Sequence, residues 1–163
     1  MSKKIKIAIN GFGRIGRASF KIILDKYPNL EVVAINDLSD VKTLSNLLKY
    51  DSAYGVYDKK IIAQKNSIKV DKKSFKIFQE KDPQSLPWKS LGVDVVLECT
   101  GIFKDHDSAK KHLEAGAKKV VISAPTKDIK KIKTVVLGVN EKQIKNHRFI
   151  IFNFSFGFNI ICM

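Results

Sequence analysis

Ile9-Asn10-Gly11-Phe12-Gly13-Arg14-Ile15-Gly16 joins two segments of different period. Before it, residues 4–10 alternate as a strand does, with Ile5, Ile7 and Ile9 on one face. After it, residues 14–26 take a helical period that sets Ile15, Ala18 and Ile22 on one side. A Gly-x-Gly-x-x-Gly between a strand and a helix has a physical reading. Gly11 permits the tight turn, Gly13 lets the backbone approach a pyrophosphate, and Gly16 allows the helix to lie close on the strand. The free N–H groups of the first helical turn, around Arg14 and Ile15, then face the phosphates.

Working outward, Tyr27-Pro28-Asn29 stops the helix, since proline disfavours helix at the residue before it. Residues 30–36, carrying Val32, Val33 and Ile35, read as a second strand ending at Asn36. Asp37 follows about 20 residues beyond Gly16, where a carboxylate receives the adenosine ribose hydroxyls and repels a 2′-phosphate. The cofactor expected from this spacing is NAD rather than NADP. A second helix is expected over 40–49. Residues 56–78 are short, β-rich pieces (61–63, 67–70 and 74–78) separated by polar turns, which suggests a small antiparallel excursion. The apolar run 93–99 reads as a strand buried on both faces. A helix over 108–115 ended by Gly116, and strands over 119–123 and 134–137, complete the pattern. Strands alternating with helices predict an α/β fold, a Rossmann-type doubly wound, mostly parallel sheet.

Bulk properties narrow the function. The 163 residues suffice for one core, and no apolar run approaches the roughly 20 residues that span a bilayer. Cys99 and Cys162 have no framework spacing and no secretory leader is evident, so a cytoplasmic setting is expected. The net charge of +14 raises the question of nucleic acid. Its lysines lie in scattered pairs (Lys59-Lys60, Lys72-Lys73, Lys110-Lys111, Lys118-Lys119, Lys130-Lys131), and the arginines are only Arg14, Arg17 and Arg148. Neither arginine readout of bases nor interleaved aromatics is present, so specific nucleic-acid binding is not expected. His106, His112 and His147 share no metal-ligand spacing and read as surface or helix residues; Cys99, at the end of an apolar strand, reads as a small hydrophobe. No metal site is expected.

Taken in order, further motifs carry a family resemblance. Ile35-Asn36-Asp37-Leu38, Tyr50-Asp51-Ser52, Glu98-Cys99-Thr100-Gly101-Ile102-Phe103, His112-Leu113-Glu114-Ala115-Gly116-Ala117-Lys118-Lys119-Val120, Ile122-Ser123-Ala124-Pro125 and Gly138-Val139-Asn140 follow the opening stretch. Together they resemble the NAD-binding half of the glyceraldehyde-3-phosphate dehydrogenases, from about residue 4 to residue 151. The resemblance implies cofactor contacts at Gly11, Phe12, Gly13, Arg14, Ile15, Gly16, Asn36 and Asp37, with Lys81 near the adenine, Thr100 and Gly101 along the pocket, and Ser123 on the nicotinamide side. It also implies a small phosphorylated aldehyde as substrate, a place in glycolysis and a homo-oligomer.

The resemblance changes near the end. The family's next segment is Ser-Asn-Ala-Ser-Cys-Thr-Thr-Asn, whose cysteine attacks the aldehyde. Here the aligned residues are Phe152-Asn153-Phe154-Ser155-Phe156-Gly157-Phe158-Asn159. Ser155 keeps the position that the family uses for substrate phosphate, but Phe156 stands in the nucleophile's place and has no titratable group. Cys162 matches neither cysteine of the family. The expected organisation is therefore an NAD-binding domain over 1–151 and an altered remnant of the cysteine segment over 152–163, with no catalytic residue and none of the family's second domain. Three readings stay open at this point: a domain of such a dehydrogenase inactive by itself, a non-catalytic NAD-binding or scaffold module, and a degenerate fragment.

Overall fold

Side-chain alternation in Ile5–Asn10 makes the first strand, β1, and the glycine-rich turn hands the chain to helix α1, Arg14–Lys26. Next come β2 (Leu30–Asn36), α2 (Val41–Lys49) and a two-stranded hairpin of β3 (Tyr50–Asp51) with β4 (Gly55–Val56). They are followed by β5 (Ile61–Ala63), β6 (Ser67–Val70), β7 (Lys73–Phe78), a short 3-10 turn at Pro83–Ser85 and α3 (Trp88–Leu91). The remainder holds β8 (Val95–Glu98), α4 (His106–Glu114), β9 (Lys119–Ile122), β10 (Lys133–Val135) and β11 (Phe149–Phe152). The structure, a computed structural model, describes residues 3–126, 128, 130–136, 139–142 and, as backbone, 149–152. Leu137, Gly138, His147, Ser155, Phe156 and Cys162 lie outside the described residues, and with them the expectations placed on those positions.

The described residues build a nine-stranded sheet in the order β10-β11-β9-β8-β1-β2-β7-β6-β5. From β10 through β7 every neighbouring pair is parallel; β6 and β5 then add on antiparallel. The run β7-β2-β1-β8-β9-β11 has the strand order of the doubly wound dinucleotide-binding fold, with its reversal between β1 and β8. The expected α/β class therefore stands.

Three local expectations need correcting. β7 belongs to the antiparallel excursion through β6, but it also pairs parallel with β2, Ile35 opposite Ile77, and so is a strand of the main sheet. Alternation of apolar residues in a short strand carries no information about the direction of its neighbour. In α1 the buried stripe is Gly16, Phe20 and Ile23 rather than Ile15, Ala18 and Ile22, because Gly16 is pressed onto the turn and fixes the helix's rotation. Finally, β8 is not covered equally on both faces: Val96 and Glu98 are buried, whereas Val95 and Leu97 keep partial exposure. Helix α1 packs mainly on β2 and β1, and Leu97 meets the edge of the cluster beneath it.

The largest core cluster lies under α1 and α2, where Ile7, Ile9, Val32 and Ile35 of the sheet meet Phe12, Phe20, Leu44 and Leu48. Phe12 and Phe75 flank Phe20 edge-to-face, at ring centroid distances of 5.5 and 4.8 Å. On the opposite face Ala8, Ala34 and Val96 receive Leu86 and Trp88. Asp40 and Asp105 cap α2 and α4, accepting the N–H groups of Thr43 and Ser108 at 2.9 Å. Gly13, at the cap position of α1, offers no side chain, so the first turn of that helix has no such acceptor.

Candidate functional site

The reversal of strand order opens a crevice at the carboxyl ends of β1 and β8, and the glycine-rich turn forms one wall of it. Gly11 has φ +89°, and a Cβ there would come within 2.7 Å of the Thr100 amide nitrogen, so the first glycine is required by both conformation and space. A Cβ at Gly16 would drive into the Gly11 carbonyl oxygen, which keeps helix and strand in close contact. At Gly13 a Cβ would meet nothing within 4 Å, so the backbone faces open space where a phosphate can approach. Gly11 and Gly16 thus hold the tight turn and the close helix–strand contact, and the Gly13 backbone is left open.

Asp37 joins this turn to the end of β2. Its Oδ2 accepts the Phe12 N–H at 2.7 Å and its Oδ1 accepts the Ser39 N–H at 2.9 Å. The carboxylate is thereby held at the lip of the crevice, with lone pairs left for further donors. Phe12 itself turns into the core: its ring is fully buried, its N–H goes to Asp37, and its carbonyl accepts Arg17 Nη1 at 3.0 Å. Arg14 is exposed and Ile15 half-buried at the start of α1. Across the crevice Thr100 is half-buried, while Gly101, at φ +73°, has open space around its Cα. Lys81 is exposed beyond the end of β7. Ser123 follows β9, its N–H bound to the Glu98 carbonyl at 2.9 Å.

Beneath these residues lies a buried polar layer that the sequence reading only partly caught. Asn36 donates to Asn10 Oδ1 at 2.7 Å and to the Glu80 carbonyl at 2.9 Å, and accepts the Glu80 N–H at 2.9 Å. Both amide hydrogens of Asn36 are engaged, so it forms the floor of the crevice and has none left for a ligand. Asn10 Nδ2 donates in turn to Glu98 Oε2 at 2.5 Å. Glu98 also receives His112 Nε2 at 3.0 Å, the Thr100 N–H at 2.8 Å and the Thr100 hydroxyl. His112 Nδ1 accepts the Trp88 indole N–H at 3.1 Å. His112 is fully buried on α4, a helix residue as expected but not a surface one. The signal available in the sequence was Glu98 itself, an acid set directly after Val95-Val96-Leu97 near the end of the run 93–99, whose other acid, Asp94, lies at its start.

Cys99, next to this layer, is crowded enough that burial, reinforced by the Glu98 charge, pushes its thiol up to about 12; the Ser123 hydroxyl works weakly the other way. The thiol remains protonated and unreactive near neutrality. Among the described residues no group of three or more His, Cys, Asp or Glu could hold a metal ion. Two shallow concavities lie away from the crevice, of about 280 Å³ around Tyr50 and Val56 and about 590 Å³ along Lys65, Ser67 and Lys76. Neither is lined by a residue expected to contact the cofactor.

A family described as "Glyceraldehyde 3-phosphate dehydrogenase, NAD binding domain" matches residues 5–106. The chain belongs to this family. Its similarity to individual proteins extends further along the sequence. It is 54% identical over 149 residues to the glyceraldehyde-3-phosphate dehydrogenase of Thermotoga maritima, covering 90% of this chain and 44% of that protein. Against the enzymes of Mycoplasma pneumoniae and Borreliella burgdorferi identity is 53% over 143 residues and 52% over 147 residues. Those matches cover 88% and 87% of this chain but 42% and 43% of the two proteins. The chain thus spans less than half the length of these relatives. Its fold, its glycine turn and its family agree on an NAD-binding domain of the glyceraldehyde-3-phosphate dehydrogenase type, with NAD as the cofactor.

Proposed function

We propose that this chain binds NAD across the β1–β8 crevice and serves as the cofactor-binding half of a phosphorylating aldehyde dehydrogenase of glycolysis. The single observation that supports this best is the pairing of an open Gly13 backbone with an Asp37 carboxylate held at the end of β2. In this reading the N–H groups around Gly13, Arg14 and Ile15 receive the pyrophosphate, and the Asp37 carboxylate receives the adenosine ribose hydroxyls. Gly11 and Gly16 shape the turn, while Phe12 and Asn36 support it from below. Lys81 lies on the adenine side, Thr100 and Gly101 line the far wall, and Ser123 faces the nicotinamide end. Bound there, NAD supplies the hydride acceptor for oxidation of a small phosphorylated aldehyde.

Residues 1–151 form the cofactor domain in this account, and residues 152–163 are the altered counterpart of the family's cysteine segment, with Ser155 at the phosphate-binding position. Phe156, where the family has its nucleophile, can form no covalent intermediate. The 163 residues by themselves therefore bind NAD without oxidising an aldehyde. A cytoplasmic setting suits two cysteines without framework spacing. Among the described residues no helix is long and apolar enough to cross a membrane.

Two assays separate these statements. Calorimetry should give saturable NAD binding, with NADP markedly weaker because its 2′-phosphate meets the Asp37 carboxylate. An assay with glyceraldehyde 3-phosphate, NAD and phosphate should give no reduced cofactor. Turnover that disappears on Cys162→Ser would overturn the assignment of this chain as a binding half alone.

A further inference from the structure

We infer that Glu98 is a positioning residue for the cofactor crevice, acting as a buried anion on which the loops of both walls are anchored. The inference rests on the NAD-binding reading above. Its basis is a hydrogen-bond chain whose polarity is fixed from every end. Glu80 N–H can only donate, so Asn36 Oδ1 is its acceptor and Asn36 Nδ2 must be the donor to Asn10 Oδ1. Asn10 Nδ2 then points at Glu98 as a donor. From the other side, an indole N–H can only donate, so His112 Nδ1 is unprotonated and its proton sits on Nε2, facing Glu98. The Thr100 N–H is a donor by nature. Asn10 Nδ2 and His112 Nε2, 3.4 Å apart, are both donors and share the same carboxylate oxygen.

Among the described residues, both groups facing Oε2 and the Thr100 N–H on Oε1 can only donate, so the Thr100 hydroxyl, which already accepts the Ile102 N–H, is the one neighbour able to turn and accept from a protonated carboxyl. The side chain is 1% exposed and is matched by four hydrogen bonds and, among the described residues, by no lysine or arginine. Such an arrangement tolerates a buried charge only while all its donors stay in place. Its members stand beside the proposed ligand contacts: Asn10 before Gly11, Asn36 before Asp37, Glu80 before Lys81, and Thr100 within the far wall. One anion thus sets four loop positions relative to one another, and His112, held by Trp88 from outside the crevice, keeps that anion in place.

The test measures NAD affinity by calorimetry on the full chain, with thermal midpoints alongside. Glu98→Gln has the same shape, but its amide must turn an N–H toward groups that are themselves donors. Its NAD affinity should fall at least about tenfold, the scale of losing a hydrogen bond to a charged group. Ile68→Ala, in the core beneath α2, serves as a control that lowers the midpoint without touching the network. It should keep NAD affinity within about twofold, which a merely structural role for Glu98 does not predict. His112→Leu and His112→Gln keep the proposal testable should Glu98→Gln fail to fold. Glutamine can donate to Glu98 and accept from Trp88, so it should restore affinity to within about twofold, whereas leucine should lose about fivefold or more. The emission of Trp88, the sole tryptophan, should change with leucine and return toward the parent with glutamine. Parent-like NAD affinity in both Glu98→Gln and His112→Leu would overturn this inference and leave the NAD-binding reading intact. Absence of NAD binding by the parent chain would overturn both.

Discussion

Asp37 carries two duties at once, since it accepts two backbone N–H groups and remains at the lip of the crevice. Asp37→Ala should therefore weaken NAD by about 10- to 100-fold, the equivalent of about 1.5–3 kcal/mol for a hydrogen bond to a charged group. Titration calorimetry on the two proteins checks this, and NADP should gain relative to NAD in the variant. Cys99 gives a different residue-scale expectation. With its thiol pushed up to about 12, iodoacetamide at about pH 8 should leave it unmodified in the native chain and alkylate it readily in denaturant. Peptide mapping by mass spectrometry distinguishes it from Cys162. The place of Asp37, directly after β2 and beside the turn, was legible from its spacing to Gly16. The saturation of Asn36 and the burial of Phe12 were not, because a motif names positions and leaves open which side chains the fold turns inward.

At the scale of elements, contact between α1 and the turn is set by one missing methyl group. Gly16→Ala places a Cβ against the Gly11 carbonyl, and should cost about 1–3 kcal/mol, several degrees in thermal midpoint for a domain of this size. Asp94 stitches β1 to the chain before β9 by accepting Lys118 Nζ at 2.6 Å and the Lys6 N–H at 2.9 Å. These donors, Lys118 foremost, hold its carboxyl below the ordinary 3.8. The unfolded chain then takes up this proton more readily than the native one. The stability it contributes is complete above that ordinary value and is lost as the pH falls through the lower native one. Urea midpoints measured from about pH 5 down to about pH 2.5 should fall less steeply in Asp94→Asn than in the parent. The order of the longer strands and helices from β1 to β10 could be read from period, and so could Gly116 as the stop of α4, whereas the β3–β4 hairpin, α3 and β11 were too short to show a period. The parallel pairing of β7 with β2 could not, because strand direction is decided by partners distant in sequence. The rotation of α1 was hidden for a related reason: a hydrophobic count favours Ile15 over Gly16, and only the crowding at the turn buries Gly16 instead.

For the whole molecule, the parallel sheet and its reversal between β1 and β8 place the carboxyl ends of four strands around one crevice, and the family match is to an NAD-binding domain. The charge of +14 predicts weak adsorption to polyanions. Binding to any duplex should fall steeply between about 50 and about 200 mM salt with no sequence preference, as fluorescence anisotropy can measure. Binding of NAD to the native chain should raise its thermal midpoint, by about 2.7 kcal/mol of stabilisation at 100 times the dissociation constant. The polar layer under the crevice was the least legible part at this scale, since Asn10, Asn36, Glu98, His112 and Trp88 come together only once the sheet and α4 have packed. Calorimetric titration of NAD into the folded 163-residue chain tests the central claim most directly. Saturable one-site binding, weakened at least about tenfold by Asp37→Ala, is the predicted result; a folded chain that gives no saturable NAD binding would contradict it.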